Sequence, residues 1–140
     1  MSVQDSHVWV NRLSVHFGVG KGLLGGGGGV LKAVDEVSLE IPRGSFFGLV
    51  GESGSGKTTL GRAILKAAPI TGGEVRYHDE DVDFDVGRMN KAELKEYRRR
   101  AQLIFQDPYA ALSPRMTVRD IIAEPLEVMK LTKTREETDE

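Results

Sequence analysis

The clearest chemistry in the chain lies in one stretch, Gly51-Glu52-Ser53-Gly54-Ser55-Gly56-Lys57-Thr58-Thr59. Gly51 to Thr58 completes the pattern G-x-x-x-x-G-K-[ST]. Glycines at these places let backbone N–H groups turn inward and approach phosphate oxygens closely. A helix starting directly behind them adds unpaired N–H groups and a partial positive charge. Lys57 then sets a full charge beside the β- and γ-phosphates of a nucleotide. The Thr58 hydroxyl is an oxygen donor for Mg²⁺, a hard cation that draws its other ligands from phosphate and water.

Such a loop needs a strand before it and a helix after it. The apolar run Phe46 to Val50 reads as a buried strand covered on both faces, and Leu60 to Ala68 reads as the helix. Upstream, Val8 to Phe17 reads as a half-buried strand, with Leu13, Val15 and Phe17 alternating with Ser14 and His16. Phe17 ends it, as an ordinary core or edge ring or as a platform for a purine base. Gly18 to Gly29, with its run Gly25 to Gly29, reads as a flexible tether. Leu31 to Ile41 alternates again and reads as the next strand, closed by a turn at Pro42-Arg43-Gly44-Ser45.

Downstream, Glu74 to His78 reads as a short strand. Asp79 to Asp85 is acidic but lacks the glycine and the distant glutamate of a Ca²⁺ loop, so it reads as a solvated hairpin. Asn90 to Arg100 is a helix with Asn90 as cap and Glu93 at the capping-box position. Ala101 to Phe105 reads as a second buried strand, stopped by Gln106-Asp107-Pro108. Gln106 breaks the apolar run, so Leu103 to Asp107 does not read as a metal-binding strand end of the Walker B kind. Thr117 to Met129 is a helix capped by Thr117, and Pro125 is expected to kink or interrupt it. A further helix begins at Thr134.

Composition sets the outer limits. At 140 residues there is room for one small domain with a real core. A net charge of −2 argues against a general nucleic-acid binder. The chain has no cysteine, which removes disulfides and thiolate metal sites. No apolar stretch approaches the length of a membrane span, and Met1-Ser2-Val3-Gln4-Asp5 lacks the features of a signal peptide.

Three segments together resemble one family, the ATP-binding subunits of ABC transporters, and within it the oligopeptide/dipeptide (and nickel) importer group. They are Leu31-Lys32-Ala33-Val34-Asp35-Glu36-Val37-Ser38, the loop Gly51 to Thr59, and Ile104-Phe105-Gln106-Asp107-Pro108-Tyr109-Ala110-Ala111-Leu112-Ser113-Pro114-Arg115-Met116-Thr117-Val118. The resemblance runs from about Val8 to Leu131. It implies an α/β fold: a P-loop NTPase core with an N-terminal antiparallel β subdomain and the start of a helical subdomain. Residues 1–105 would form the first part and residues 106–140 the second.

The resemblance also implies roles. Phe17 would stack on adenine. Gly51, Glu52, Ser53, Gly54, Ser55, Gly56, Lys57, Thr58 and Thr59 would hold the phosphates of ATP. Gln106 would be the Q-loop glutamine, touching Mg²⁺ or the attacking water. Residues 109–116 would lie near the surface that meets the membrane subunit. Transmembrane permease subunits and a second ATP-binding subunit would be the partners, on the cytoplasmic face of the membrane. No L-S-G-G-Q stretch, no apolar run ending in Asp-Glu and no histidine follow Gln106; His7, His16 and His78 all precede it. The chain therefore reads as a piece cut before Walker B, binding ATP with negligible hydrolysis, and with apolar strand edges left without neighbours.

Two other readings stay open from the residues alone. A GTPase should carry N-K-x-D, and Asn90-Lys91-Ala92-Glu93 lacks the aspartate. A kinase should show an acceptor-binding lid, and none is evident. The other reading is a short nucleotide-binding protein without catalysis.

Overall fold

The computed structural model describes residues 6–20, 28–107 and 112–139. Gly25 to Gly27 of the glycine run, and Tyr109 to Ala111 of the segment expected near a membrane subunit, lie outside the described residues. The chain divides into two compact units, Met1–Tyr97 and Arg98–Glu140.

The first unit is built on a four-stranded antiparallel sheet. Its strands are β1 (Ser6–Val19), β2 (Gly29–Pro42), β3 (Gly72–Asp79) and β4 (Val82–Asp85), in the order β2-β1-β3-β4. The expected strands at Val8, Leu31 and Glu74 are all present, each longer than its alternation alone suggests. The acidic segment forms the expected hairpin, with Tyr77 opposite Phe84 and Asp79 opposite Val82.

β1 contributes more buried apolar residues than any other element, and it does so by changing parity. Val8 and Val10 are buried, and so are Leu13 and Val15. The even-to-odd switch is made by an irregularity between Val10 and Leu13, where Arg12 has φ of 47°. A strand presents one face every second residue, so one extra residue is needed to return the apolar set to the same side. Neighbours mend the broken ladder. The Arg12 amide donates to Ser38 Oγ at 2.9 Å, and the Glu36 amide donates to Ser14 Oγ at 3.1 Å. Gly73 faces the bulge: a Cβ there would stand 2.1 Å from the Arg12 carbonyl oxygen, and its φ of 77° also suits glycine.

Helix α1 (Lys57–Ile64) begins three residues earlier than the apolar pattern indicated and ends earlier, because Lys66 turns left-handed at φ of 55°. Its buried residues, Leu60 and Ala63, join Val34, Val75 and Val86 in the core. Helix α2 (Lys91–Arg100) has the expected cap. Asn90 Oδ1 accepts from the amides of Ala92 and Glu93 at 2.8 and 3.1 Å, and Glu93 Oε2 accepts from the Asn90 amide at 2.8 Å. From α2, Tyr97 enters the core and meets Tyr77 and Phe84 with ring centroids 5.1 and 6.0 Å apart.

Two expected strands are not formed. Phe46 to Val50 and Ala101 to Phe105 are irregular and pair with no strand among the described residues. Val50 is 93% exposed and Ile104 92% exposed. The reason is pairing rather than propensity. A buried parallel strand draws its hydrogen bonds from neighbours on either side, and among the described residues neither segment is paired with the outer strands of the sheet, β2 and β4. The exposed apolar edges expected from the sequence are therefore present as exposed apolar segments.

The second unit holds α3 (Val118–Val128) and the short α4 (Arg135–Asp139). Thr117 and Asp120 form a capping box at the start of α3. That hydrogen bonding to Thr117 holds the Asp120 carboxyl below the usual carboxylate range. Of the two expected effects of Pro125, a kink or an interruption, the interruption does not occur: α3 runs through the proline. It forfeits one amide donor, and bonding resumes at once with the Met129 amide on the Pro125 carbonyl at 3.0 Å. Arg99 donates to the Met129 carbonyl at 2.7 Å, and Arg119 Nε donates to Asp139 at 2.6 Å. Among the described residues no helix is long and apolar enough to cross a membrane.

Removing the α2 cap should cost about 1 kcal/mol. Asn90→Ala is therefore expected to lower the urea midpoint of the first unit with an unchanged slope. Asp120 has the opposite readout. Its contribution to α3 is complete above the ordinary carboxylate pKa and is lost as pH falls through its lowered value. The helical signal of α3 should fade on that acid limb, and Asp120→Asn should flatten it, as followed by circular dichroism.

Candidate functional site

The loop Gly51 to Thr59 is seated by a contact between backbones. Gly56, the residue before α1, has φ of 89°, and a Cβ on it would lie 2.2 Å from the Ala33 carbonyl oxygen. Only glycine allows the loop to rest this closely on β2. The helix starts there: the Leu60 amide donates to the Gly56 carbonyl at 2.8 Å. No side chain caps α1, so the amides of its first turn are directed outward without an intrahelical acceptor.

Lys57 reaches back over the loop. Its Nζ donates to the carbonyls of Gly51 at 2.7 Å and Glu52 at 2.5 Å and to Ser55 Oγ at 3.2 Å. The ammonium group is thus held against the loop by oxygens from three of its residues. Thr58, one step on, is exposed.

A cavity of about 490 Å³ opens on this loop, within the size range of small-molecule sites. One wall is Gly54 to Thr59. The other is Phe17 with Leu31, Lys32 and Ala33. The β1–β2 pairing explains how Phe17 arrives there. It stands opposite Leu31, two residues before the Ala33 on which Gly56 rests. Two further register shifts, between Leu13 and Val15 and between Val15 and His16, precede this pairing. Phe17 is 37% exposed. The cavity therefore has an apolar end and an N–H-rich, cationic end.

Lys32 is tied down beside this wall. Its Nζ donates to Asp35 at 3.0 Å, and His16 Nε2 lies 3.1 Å from the same carboxylate. The Lys32 hydrogen bond, then that of His16, holds Asp35 below the usual carboxylate range.

Among the expected site residues, Phe17 and Gly54 to Thr59 share one cavity, and Gly51 and Glu52 accept from Lys57. Ser53 lies in the exposed loop between them. Gln106 belongs to the second unit, in an irregular exposed stretch. Leu31, Lys32 and Ala33 were not expected as cavity wall. Their place follows from strand register and a bulge, which residue spacing does not print. Among the described residues no group of histidine, aspartate and glutamate is assembled as a metal site. The donor set here, one exposed threonine hydroxyl beside an N–H-rich loop, fits Mg²⁺ only when it comes with phosphate oxygens.

Comparison with known proteins agrees with this geometry. A family model described as ABC transporter matches residues 34–140. The oligopeptide transport ATP-binding protein OppF of Bacillus subtilis (strain 168) is 52% identical over 109 residues, covering 78% of this chain and 35% of that protein. The dipeptide transport ATP-binding protein DppF of Lactococcus lactis subsp. cremoris (strain MG1363) is 49% identical over 134 residues, covering 94% of this chain and 40% of that protein. The chain thus spans well under half the length of these curated relatives. Among solved structures, the ATP-binding cassette MJ0796, a dimer bound to ADP and Pi, superposes with a TM-score of 0.67 at 25% identity, over 94% of this chain and 52% of its own. With the match running from β2 through the loop and every later element, the chain belongs to the ABC transporter family.

Proposed function

We propose that this chain is the ATP-binding portion of a subunit that powers import of peptides or similar solutes. The observation that carries the reading is the cavity itself. Phe17 from β1 and Gly54 to Thr59 of the phosphate loop line one space of the size of a small-molecule site, in a chain of this family. The names of the relatives support the class of solute.

Each residue has a task on this reading. Phe17 stacks on the adenine ring, and Leu31 and Ala33 extend the apolar wall. The first-turn amides of α1 and the ammonium of Lys57 bind the phosphates, Lys57 at the β- and γ-positions. Thr58 holds Mg²⁺ together with phosphate oxygens, and Gln106 contributes from the second unit to the metal or the attacking water. Mg²⁺ supplies charge neutralisation on the phosphates when bound. The loop's glycines and Gly56 exclude side chains from the space the phosphates need.

Phosphoryl transfer to water also requires a positioned nucleophile and stabilised charge in the transition state. After Gln106 these 140 residues hold no apolar run ending in Asp-Glu, no L-S-G-G-Q stretch and no histidine. The chain by itself binds ATP and turns it over negligibly. The whole subunit hydrolyses ATP as a pair with a second ATP-binding subunit, seated on transmembrane permease subunits at the inner face of the cell membrane.

Calorimetric titration with Mg-ATP and Mg-GTP, with phosphate release followed in the same samples, tests this. The expected result is ATP binding that Lys57→Ala removes, with little release. Lys57-dependent turnover at an ordinary enzymatic rate would overturn the non-hydrolytic reading, and a preference for GTP would overturn the adenine assignment. Phe17→Ala should weaken ATP binding by about 1–3 kcal/mol, the worth of a base–aromatic stack, and leave inorganic triphosphate binding unchanged. Gly56→Ala should fail twice over. It is expected to lose at least ~2 kcal/mol of stability to overpacking and to a left-handed φ, read by urea unfolding, and to bind no ATP under conditions where it remains folded.

A further inference from the structure

We propose that Tyr97 is a positioning residue for the nucleotide site, acting from the far end of α1, and that α2 senses nucleotide through it. The proposal rests on the ATP-binding reading above. It begins with the insufficiency of α1. Eight residues make barely two turns, too few to hold as a helix without tertiary support. Its buried contacts come from Leu60 and Ala63. At its N-terminal end the Gly56–Ala33 contact fixes position by exclusion and adds no attraction of its own.

Beyond those two packed residues, α1 has a further tie at its C-terminal end. The last carbonyls of a helix lack intrahelical donors. The Ala63 carbonyl accepts from the Lys66 amide and that of Arg62 from Ala67. The Ile64 carbonyl, from the last residue of α1, accepts from the Tyr97 hydroxyl at 2.9 Å. This donor does not wander. Tyr97 is 1% exposed and its ring is fixed between Tyr77 and Phe84. Burial, with the neighbouring Tyr77 next in effect, pushes its phenol far above the ordinary tyrosine range. The hydroxyl therefore keeps its proton and remains a donor at every working pH.

The geometry makes Tyr97 one end of a short rigid strut whose other end is the phosphate site. Ligand contacts to the first turn of α1 restrain the helix, and a restrained helix holds Tyr97 and the last turns of α2 more firmly. By linkage the effect is reciprocal: whatever loosens Tyr97 must weaken nucleotide binding. Tyr97 touches no nucleotide, so its effect runs through α1.

Hydrogen–deuterium exchange of the chain with and without Mg-ATP, repeated for Tyr97→Phe, tests this. Phenylalanine keeps the ring packing and deletes the hydroxyl. In the unaltered chain Mg-ATP is expected to slow exchange in α1 and also at the α2 amides from Leu94 to Tyr97. In Tyr97→Phe the slowing in α1 should persist while that in α2 is lost, and Mg-ATP affinity should fall by roughly 3- to 10-fold, the worth of one buried hydrogen bond. A merely structural hydroxyl would lower stability alone, leaving both the affinity and the ATP-dependent slowing of α2 intact; that result overturns the proposal. If Tyr97→Phe does not fold, the unaltered chain still decides: ATP binding without slowing in α2 overturns the inference alone, whereas no ATP binding overturns it together with the reading on which it rests.

Discussion

The approach of Gly56 to the Ala33 carbonyl oxygen is the contact on which the site depends. It sets the phosphate loop against β2 at a distance that no side chain would permit. Because Ala33 lies two residues beyond the partner of Phe17, the same contact fixes the span between an aromatic ring and a phosphate-binding helix start. Moving the loop outward by the thickness of a methyl group would open the cavity and separate its two ends. The site is thus measured off along a strand, which is stiff, rather than across a flexible loop.

That ruler is itself held by the sheet. The Arg12 bulge in β1 lets Val8, Val10, Leu13 and Val15 all be buried, and Phe17 lies beyond them, opposite Leu31. Without the extra residue, either the first half of the strand or the second would turn its valines to solvent. Ser14 and Ser38 supply the hydrogen bonds that the bulge removes, and Gly73 makes room for it. A local irregularity that costs ladder bonds is kept in place by three neighbours, and its return is the burial of both halves of β1.

Much of this was legible beforehand, for identifiable reasons. The phosphate loop has its residues contiguous in the chain, so pattern and place coincide. The caps at Asn90 and Thr117 are local contacts over three residues, and both formed as read. The acidic hairpin was recognisable because its turn is short. What the residues did not show was partnership. Phe46 to Val50 and Leu103 to Phe105 have the composition of buried strands, yet composition says only that a segment would be stable if covered. With no neighbouring strand to complete the ladder, both remain irregular and exposed. The bulge was hidden for a related reason, since Leu13 to Phe17 alternates correctly by itself and the parity break lies just before it.

The division between local and non-local features also separates binding from catalysis. Every residue proposed to hold ATP at its base and phosphates lies between Phe17 and Thr59, inside one unit. Those contacts act on the ground state as well as on the transition state, and such uniform binding raises affinity without raising the chemical rate. Rate requires groups that act where charge and the nucleophile change during reaction. Of the two residues proposed to act in this way, Lys57 lies in the first unit and Gln106 in the second. Affinity is thus the property that the residues proposed for the first unit can account for by themselves, and rate is not.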